Sequence, residues 1–283
     1  MSRTRDGDSQ ALRSQLHAFQ SILALVIMTE YWSRLIQHWH EPDTFLVVSP
    51  VVITGLGVTS LTERWRRPAF LGIALVVGSF LAIVFPGGGN HEYLEFLLCL
   101  VCAGLDCEVP EERLLLRDSV RWMTGVILFW AGVQKLVHGF YFNGEYLAYS
   151  VSRETYASVF SWLLPAGELA RLAALDGSAG TGPYVARDWL FSLVSNLTYI
   201  LEIALAPLLL LRVTRRVALV GVFLLLLGIE SAAREMFFFF VQFNMLLLFL
   251  DGDLNRRLIG PIAVLLASML LVRMGVLPEV TFT

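Results

Sequence analysis

RDWLFSLVSNLTYILEIALAPLLLLRVTRR (187–216) decides how the chain is read. From Trp189 to Leu211 it carries one ionisable residue, Glu202. About 20 mostly apolar residues are enough for a helix to cross a bilayer. Immediately afterwards come Arg212, Arg215 and Arg216, the basic punctuation of a cytoplasmic membrane border. This apolar run with a guanidinium-rich edge predicts a membrane span.

The same pattern recurs in both directions. Nine spans are predicted, at roughly 16–36, 44–62, 69–86, 91–106, 118–138, 187–211, 215–231, 236–251 and 259–277. Between the fifth and sixth lies a mixed stretch, 140–186, in which 153–175 reads as an amphipathic or re-entrant helix and DGSAGTGP (176–183) as a loop. The expected fold is an all-α polytopic helical bundle. Its parts are a cytoplasmic N-terminal tail (1–15), a single transmembrane domain (16–277) and a short C-terminal tail (278–283). The polar start followed by a long apolar run favours a retained span over a cleaved signal peptide.

Composition agrees. Of 283 residues, 56% are hydrophobic and 16% charged, whereas soluble domains carry about 25% charged residues. High hydrophobicity excludes a disordered chain. A net charge of −3 offers no broad positive field for nucleic acid. The cysteines, Cys99, Cys102 and Cys107, are odd in number and close together, which is no disulfide framework.

The basic residues set the orientation. Arg3, Arg5 and Arg13 precede the first span, and Arg64, Arg66 and Arg67 follow the second. Arg113, Arg117 and Arg121 lie before or at the start of the fifth; Arg256 and Arg257 precede the ninth. With the group at 212–216 these are 14 of the 21 basic residues. An odd number of spans puts all five groups on one side, so the N-terminus is expected in the cytoplasm of a bacterial cell. The C-terminus then lies outside the inner membrane, and every histidine except His17 falls at or near the outer face.

Twenty of the 21 basic residues are arginine; the exception is Lys135, in WAGVQKLVHGFYFNGEYL (130–147). A lysine near a helix end snorkels to the headgroups in the plainest reading. Yet arginine does not give up its proton, and a lysine does when desolvated, so a base is one role that arginine cannot fill. A second polar element, Asn90-His91-Glu92-Tyr93-Leu94, follows PGGG at the start of the fourth span. His91 and Glu95 are four apart and share a helical face. One imidazole with one carboxylate is half a ligand set, so no metal is expected. Glu30/Arg34 and Glu230/Arg234 read as ion pairs lining the bundle, and Glu202 as either neutral or paired with another span.

AGVQKL with its aromatic-glycine continuation, preceded by NHEYL, resembles the membrane domain of vitamin K-dependent γ-carboxylases, the HTTM family. The resemblance covers roughly 15–255. It implies that Lys135 is the base acting on a reduced quinone, vitamin K hydroquinone or a related naphthoquinol. Dioxygen then turns the quinol into an epoxide, and the strong base made on the way removes a proton from a glutamate of a peptide or protein substrate, whose carbanion takes up carbon dioxide. His91, with Asn90, would polarise the quinone oxygens. Tyr93, Trp130, Gly132 and the 139–149 segment, with Tyr141 and Gly144, would wall the pocket. The chain departs from the family in having no histidine in 226–244, where Glu230 and Arg234 stand, and no counterpart of the carboxylase's large lumenal region is expected. Expected partners are membrane lipid, quinone and a glutamate substrate, and no nucleic acid.

Two other classes fit the same residues. One is a non-catalytic membrane subunit binding lipid, quinone or a partner protein. The other is a thiol–quinone redox protein using the Cys99-x-x-Cys102 pair, although thiolates are disfavoured in apolar surroundings.

Overall fold

The computed structural model describes residues 2–87, 89–139, 141–142, 144–152, 164–174, 187–233, 236–250 and 254–276. Among these it is all-helical. The eleven helices are α1 (Ser2–Gln37), α2 (Thr44–Thr59), α3 (Glu63–Val84), α4 (Asn90–Gly104), α5 (Pro110–His138) and α6 (Glu145–Ser152), then α7 (Ala166–Ala173), α8 (Trp189–Leu210), α9 (Arg215–Ala233), α10 (Met236–Leu247) and α11 (Leu254–Arg273). Each of the nine predicted stretches coincides with one helix. Among the described residues, three helices are long and apolar enough to cross a membrane: Ser9–Gln37 within α1, α3 and α8. The apolar helices α2 and α10 are shorter, at 16 and 12 residues.

Two expectations are adjusted. The polar residues read as an N-terminal tail continue α1, which starts at Ser2. The mixed stretch 140–186 contains two short helices, α6 before the expected 153–175 helix and α7 within it; residues 153–163, the loop 176–183 and the C-terminal tail lie outside the described residues. The chain also groups into two compact units, Met1–Arg121 with Phe240–Val280, and Trp122–Phe239 with Thr281–Thr283.

In the first unit α1 is the central element. It packs against α2 and α11, touches α4, and α3 lies along α4. Leu16, Phe19, Ile22, Leu23 and Ile27 of α1 are fully enclosed, as are Phe70 and Ile73 of α3. These α1 positions follow the helical repeat, so one stripe faces the core. Polar side chains tie the same helix to the chain's far end. Gln15 donates to Leu247 O (3.0 Å) and Leu250 O (2.9 Å), and Asn244 donates to Phe19 O (2.9 Å).

In the second unit α8 packs against α9. Gly125 of α5 lies against Leu210, and Gly132 against Tyr199, Glu202 and Ile203. Because the later α5 residue meets the earlier α8 residues, the two helices run antiparallel. Small residues at such a crossing let backbones approach closely. Leu147, Ala148, Val151, Leu164, Leu172 and Phe191 form a local core under α6, α7 and the start of α8. Glu168 fixes this corner by bonding the Arg171 guanidinium (2.7 and 2.8 Å) and the Arg187 N–H (2.7 Å). Its bond to Arg171 holds the carboxyl down at about 2.

Outward faces are strongly apolar. Val47, Val51 and Val58 of α2, Leu71, Leu75 and Ile83 of α3, and Leu193, Leu197 and Ile200 of α8 are all exposed. Apolar faces of this extent are the ones lipid covers.

Candidate functional site

Lys135 sits in the last turn of α5. Its ammonium donates to both carboxyl oxygens of Glu202, at 2.7 and 2.8 Å, and lies 5.6 Å from the centre of the Tyr141 ring. Glu202 is 3% exposed, so its charge is answered by Lys135 rather than by water. This resolves the open reading of Glu202: it is paired, across helices. Two sequence features make the meeting possible. Gly132 has no Cβ, and a Cβ there would stand 2.7 Å from Ile203 Cγ1 and 2.8 Å from Tyr199 O. Two turns later the chain leaves the helix at Gly139, whose φ of +71° suits glycine.

The segment after Gly139 is pinned to α8. Ser195 Oγ donates to Tyr141 O (2.7 Å), and Asn196 Nδ2 donates to Phe142 O (2.9 Å). Tyr199 donates to Asn196 Oδ1 (2.8 Å), and its ring lies 5.8 Å from Phe142. Tyr141 stacks on Tyr146 at 5.2 Å, and Gly144, with φ +68°, starts α6. Ser195, Asn196 and Tyr199 were not singled out for this role from sequence. The signal available was their spacing on one face of a span, within two turns of Glu202. Trp130, on the other hand, is 57% exposed on α5.

The second expected element opens α4 in the first unit. The Gly89 N–H donates to Glu92 (3.0 Å), which closes the helix start and explains the GGGNHE pattern. Asn90 is exposed and His91 half-buried. The imidazole Nε2 meets Glu30 Oε1 of α1 at 3.1 Å. The carboxylate beside His91 therefore comes from another helix, and the expected Glu95 contact within α4 is not the one formed. Arg34 bonds Glu30 and Glu92 together, so the α1 pair read from sequence is part of a larger group. Tyr93 lines an apolar cleft of about 400 Å³ with Gly78, Leu81, Ala82, Phe85 and Phe96.

Cys99 and Cys102 are free thiols, fully enclosed in α4. Cys107, in the loop after α4, is 3% exposed, and burial pushes its thiol up to about 11. Glu230 is half-buried, and Arg234, its expected partner, lies outside the described residues.

Two polar sites result, each built from two helices. One holds the single lysine on a buried carboxylate beneath an aromatic loop. The other gathers carboxylates, a guanidinium and an imidazole. Comparison of the chain with protein-family models, curated proteins and solved structures gave no match.

Proposed function

We propose that the chain is a nine-span inner-membrane protein that acts on a reduced quinone in the manner of the γ-carboxylase-like family, with Lys135 as the base. The observation that carries this reading is the seating of the only lysine: both oxygens of Glu202 hold its Nζ, and Tyr141 walls it. The five arginine groups support a cytoplasmic N-terminus and an outward-facing site. Exposed apolar faces on α2, α3 and α8 support lipid contact.

The residues fit a quinol head. Tyr141 offers a flat apolar wall beside a directed polar group, the mixture that aromatic ligands require. When bound, a quinol supplies an acidic hydroxyl and a ring that dioxygen oxidises. Glu202 orients Nζ, and a proton passed from Nζ to Glu202 leaves an amine lone pair able to accept the next one. Glutamate carboxylation with carbon dioxide is the downstream step this reading includes.

The test compares wild type, Lys135→Ala and Lys135→Arg, purified in lipid and supplied with reduced naphthoquinone and oxygen. Wild type should form epoxide, and both variants should lose it by about 100-fold or more. Arginine keeps the charge and can keep the Glu202 bond, so its failure isolates basicity. No epoxide from folded wild type, or equal epoxide from Lys135→Arg, overturns the enzyme reading.

The completeness of the ion pair favours one second reading. An ammonium satisfied by two carboxylate oxygens is also what a purely structural strut needs, and it suits a non-catalytic lipid- or partner-binding subunit. In that case Lys135→Arg is harmless throughout.

A further inference from the structure

Glu95 of α4 is 0% exposed, and neither of its carboxyl oxygens accepts from an N–H or hydroxyl group among the described residues. It lies against the Glu30 carboxyl, whose Oε2 is likewise enclosed and without a partner. Acceptors buried against acceptors lack the donors that offset desolvation. These orphaned oxygens adjoin His91, whose Nε2 is 3.1 Å from Glu30 Oε1.

Sequence alone offered half a ligand set here, and α1 supplies the other half. One ligand atom each from Glu30, His91 and Glu92 lie within 4.8 Å of one another. Ligand bonds of about 2.0–2.2 Å separate two ligands of one ion by up to about 4.4 Å, so small side-chain rotations close the set. Arg34 holds Glu30 through Oε1 and Glu92 through Oε1, which leaves Glu30 Oε2 open. With Glu95 ionised and His91 neutral, three carboxylates against one guanidinium leave two negative charges in excess.

We propose that Glu30, His91 and Glu92, with Glu95 against Glu30, bind one divalent transition-metal cation. Two positive charges cancel the excess, and the orphaned oxygens gain the partner they lack. An imidazole among carboxylates suits borderline ions such as manganese, iron or zinc rather than calcium. The other histidine–carboxylate group, His17 with Glu63 and Glu108, makes the contrast. There Arg13 bridges both carboxylates, and Arg66 donates to His17 Nε2 at 2.8 Å. There guanidinium groups take both carboxylates and the ring nitrogen, whereas here Arg34 takes two carboxylates and His91 Nε2 faces Glu30.

The proposal does not rest on the quinol reading, which turns on Lys135, so either can fail alone. The test strips the full-length protein in lipid nanodiscs with EDTA and titrates it with Mn²⁺, reading the free ion by its electron paramagnetic resonance signal. Wild type should bind one Mn²⁺ per chain. Glu95→Gln, which keeps size and can donate to Glu30, should weaken binding about tenfold or more. His91→Asn, at the rim, is the second variant should Glu95→Gln not fold, and should weaken it similarly. His17→Gln should bind as wild type. No saturable Mn²⁺ in wild type, or wild-type affinity in Glu95→Gln or His91→Asn, overturns the site. So does an infrared carboxylic-acid band, lost in Glu95→Gln, from a wild type that binds no metal; the cluster then holds a proton instead.

Discussion

Lys135 and the arginines at helix ends do different work, and the geometry gives the reason. Arg66 donates to Ser60 O, Arg67 to Ala103 O and Gly104 O, and Arg113 to Cys107 O and Glu108 O. Arg121 donates twice to Leu248 O, and Arg215 to Leu209 O and Leu210 O. These carbonyls lie at helix ends and the turns beside them, where backbone acceptors lack helical partners. A forked guanidinium reaches two acceptors at once, which one ammonium does less well. Lys135 instead meets one buried carboxylate. Glu202→Leu should leave that ammonium unanswered and cost about 3 kcal/mol, the low end for a broken buried pair because Lys135 is 21% exposed. Lys135→Met with Glu202→Leu should restore most of it. Thermal unfolding of the single and double variants in one detergent checks both, and an additive double variant would rule out direct coupling.

At the scale of elements, the crossing of α5 and α8 is set by Gly132. A methyl there meets a backbone oxygen at 2.8 Å, and backbone yields less readily than a flexible side-chain tip. Gly132→Ala should destabilise by about 1–3 kcal/mol and displace Lys135 from Glu202. Gly228→Ala on α9 meets nothing within 4 Å and should be neutral or stabilising. Melting temperatures of the two variants give the comparison, and equal values would remove Gly132 from its role. The helices themselves were legible in sequence, since apolar run length reports them directly. Their pairings were not. Glu202 offered no clue to its partner because Lys135 is 67 residues away. His91 had a plausible carboxylate four residues on, and that local candidate masked Glu30, 61 residues back. Asn196 and Ser195 looked like incidental polar residues in a span, because their acceptors are backbone atoms of a loop.

For the whole molecule, helix length and hydropathy identify three helices able to cross a membrane, and the nine-span reading adds the arginine pattern. Short helices such as α4, with 15 residues, and the charged first half of α5 explain the gap between the two counts. Cysteines introduced singly into a variant without native cysteines test the topology. Glu41→Cys should react with an impermeant maleimide applied to the outer face of the inner membrane. Arg64→Cys and Arg216→Cys should react only after that membrane is opened. Labelling of Glu41→Cys and Arg64→Cys from the same face would break the nine-span topology at α2.

The ion pair at Lys135 has a practical side. Its nitrogen is the only side-chain amine in the chain, so any chemistry directed at amines has two addresses, this site and the N-terminus. Reductive methylation with ¹³C would give two resonances from a 283-residue membrane protein. One of them would report directly on whether Glu202 still holds its partner when a candidate ligand is added. The molecule thus carries a spectroscopic probe already installed where its chemistry is proposed.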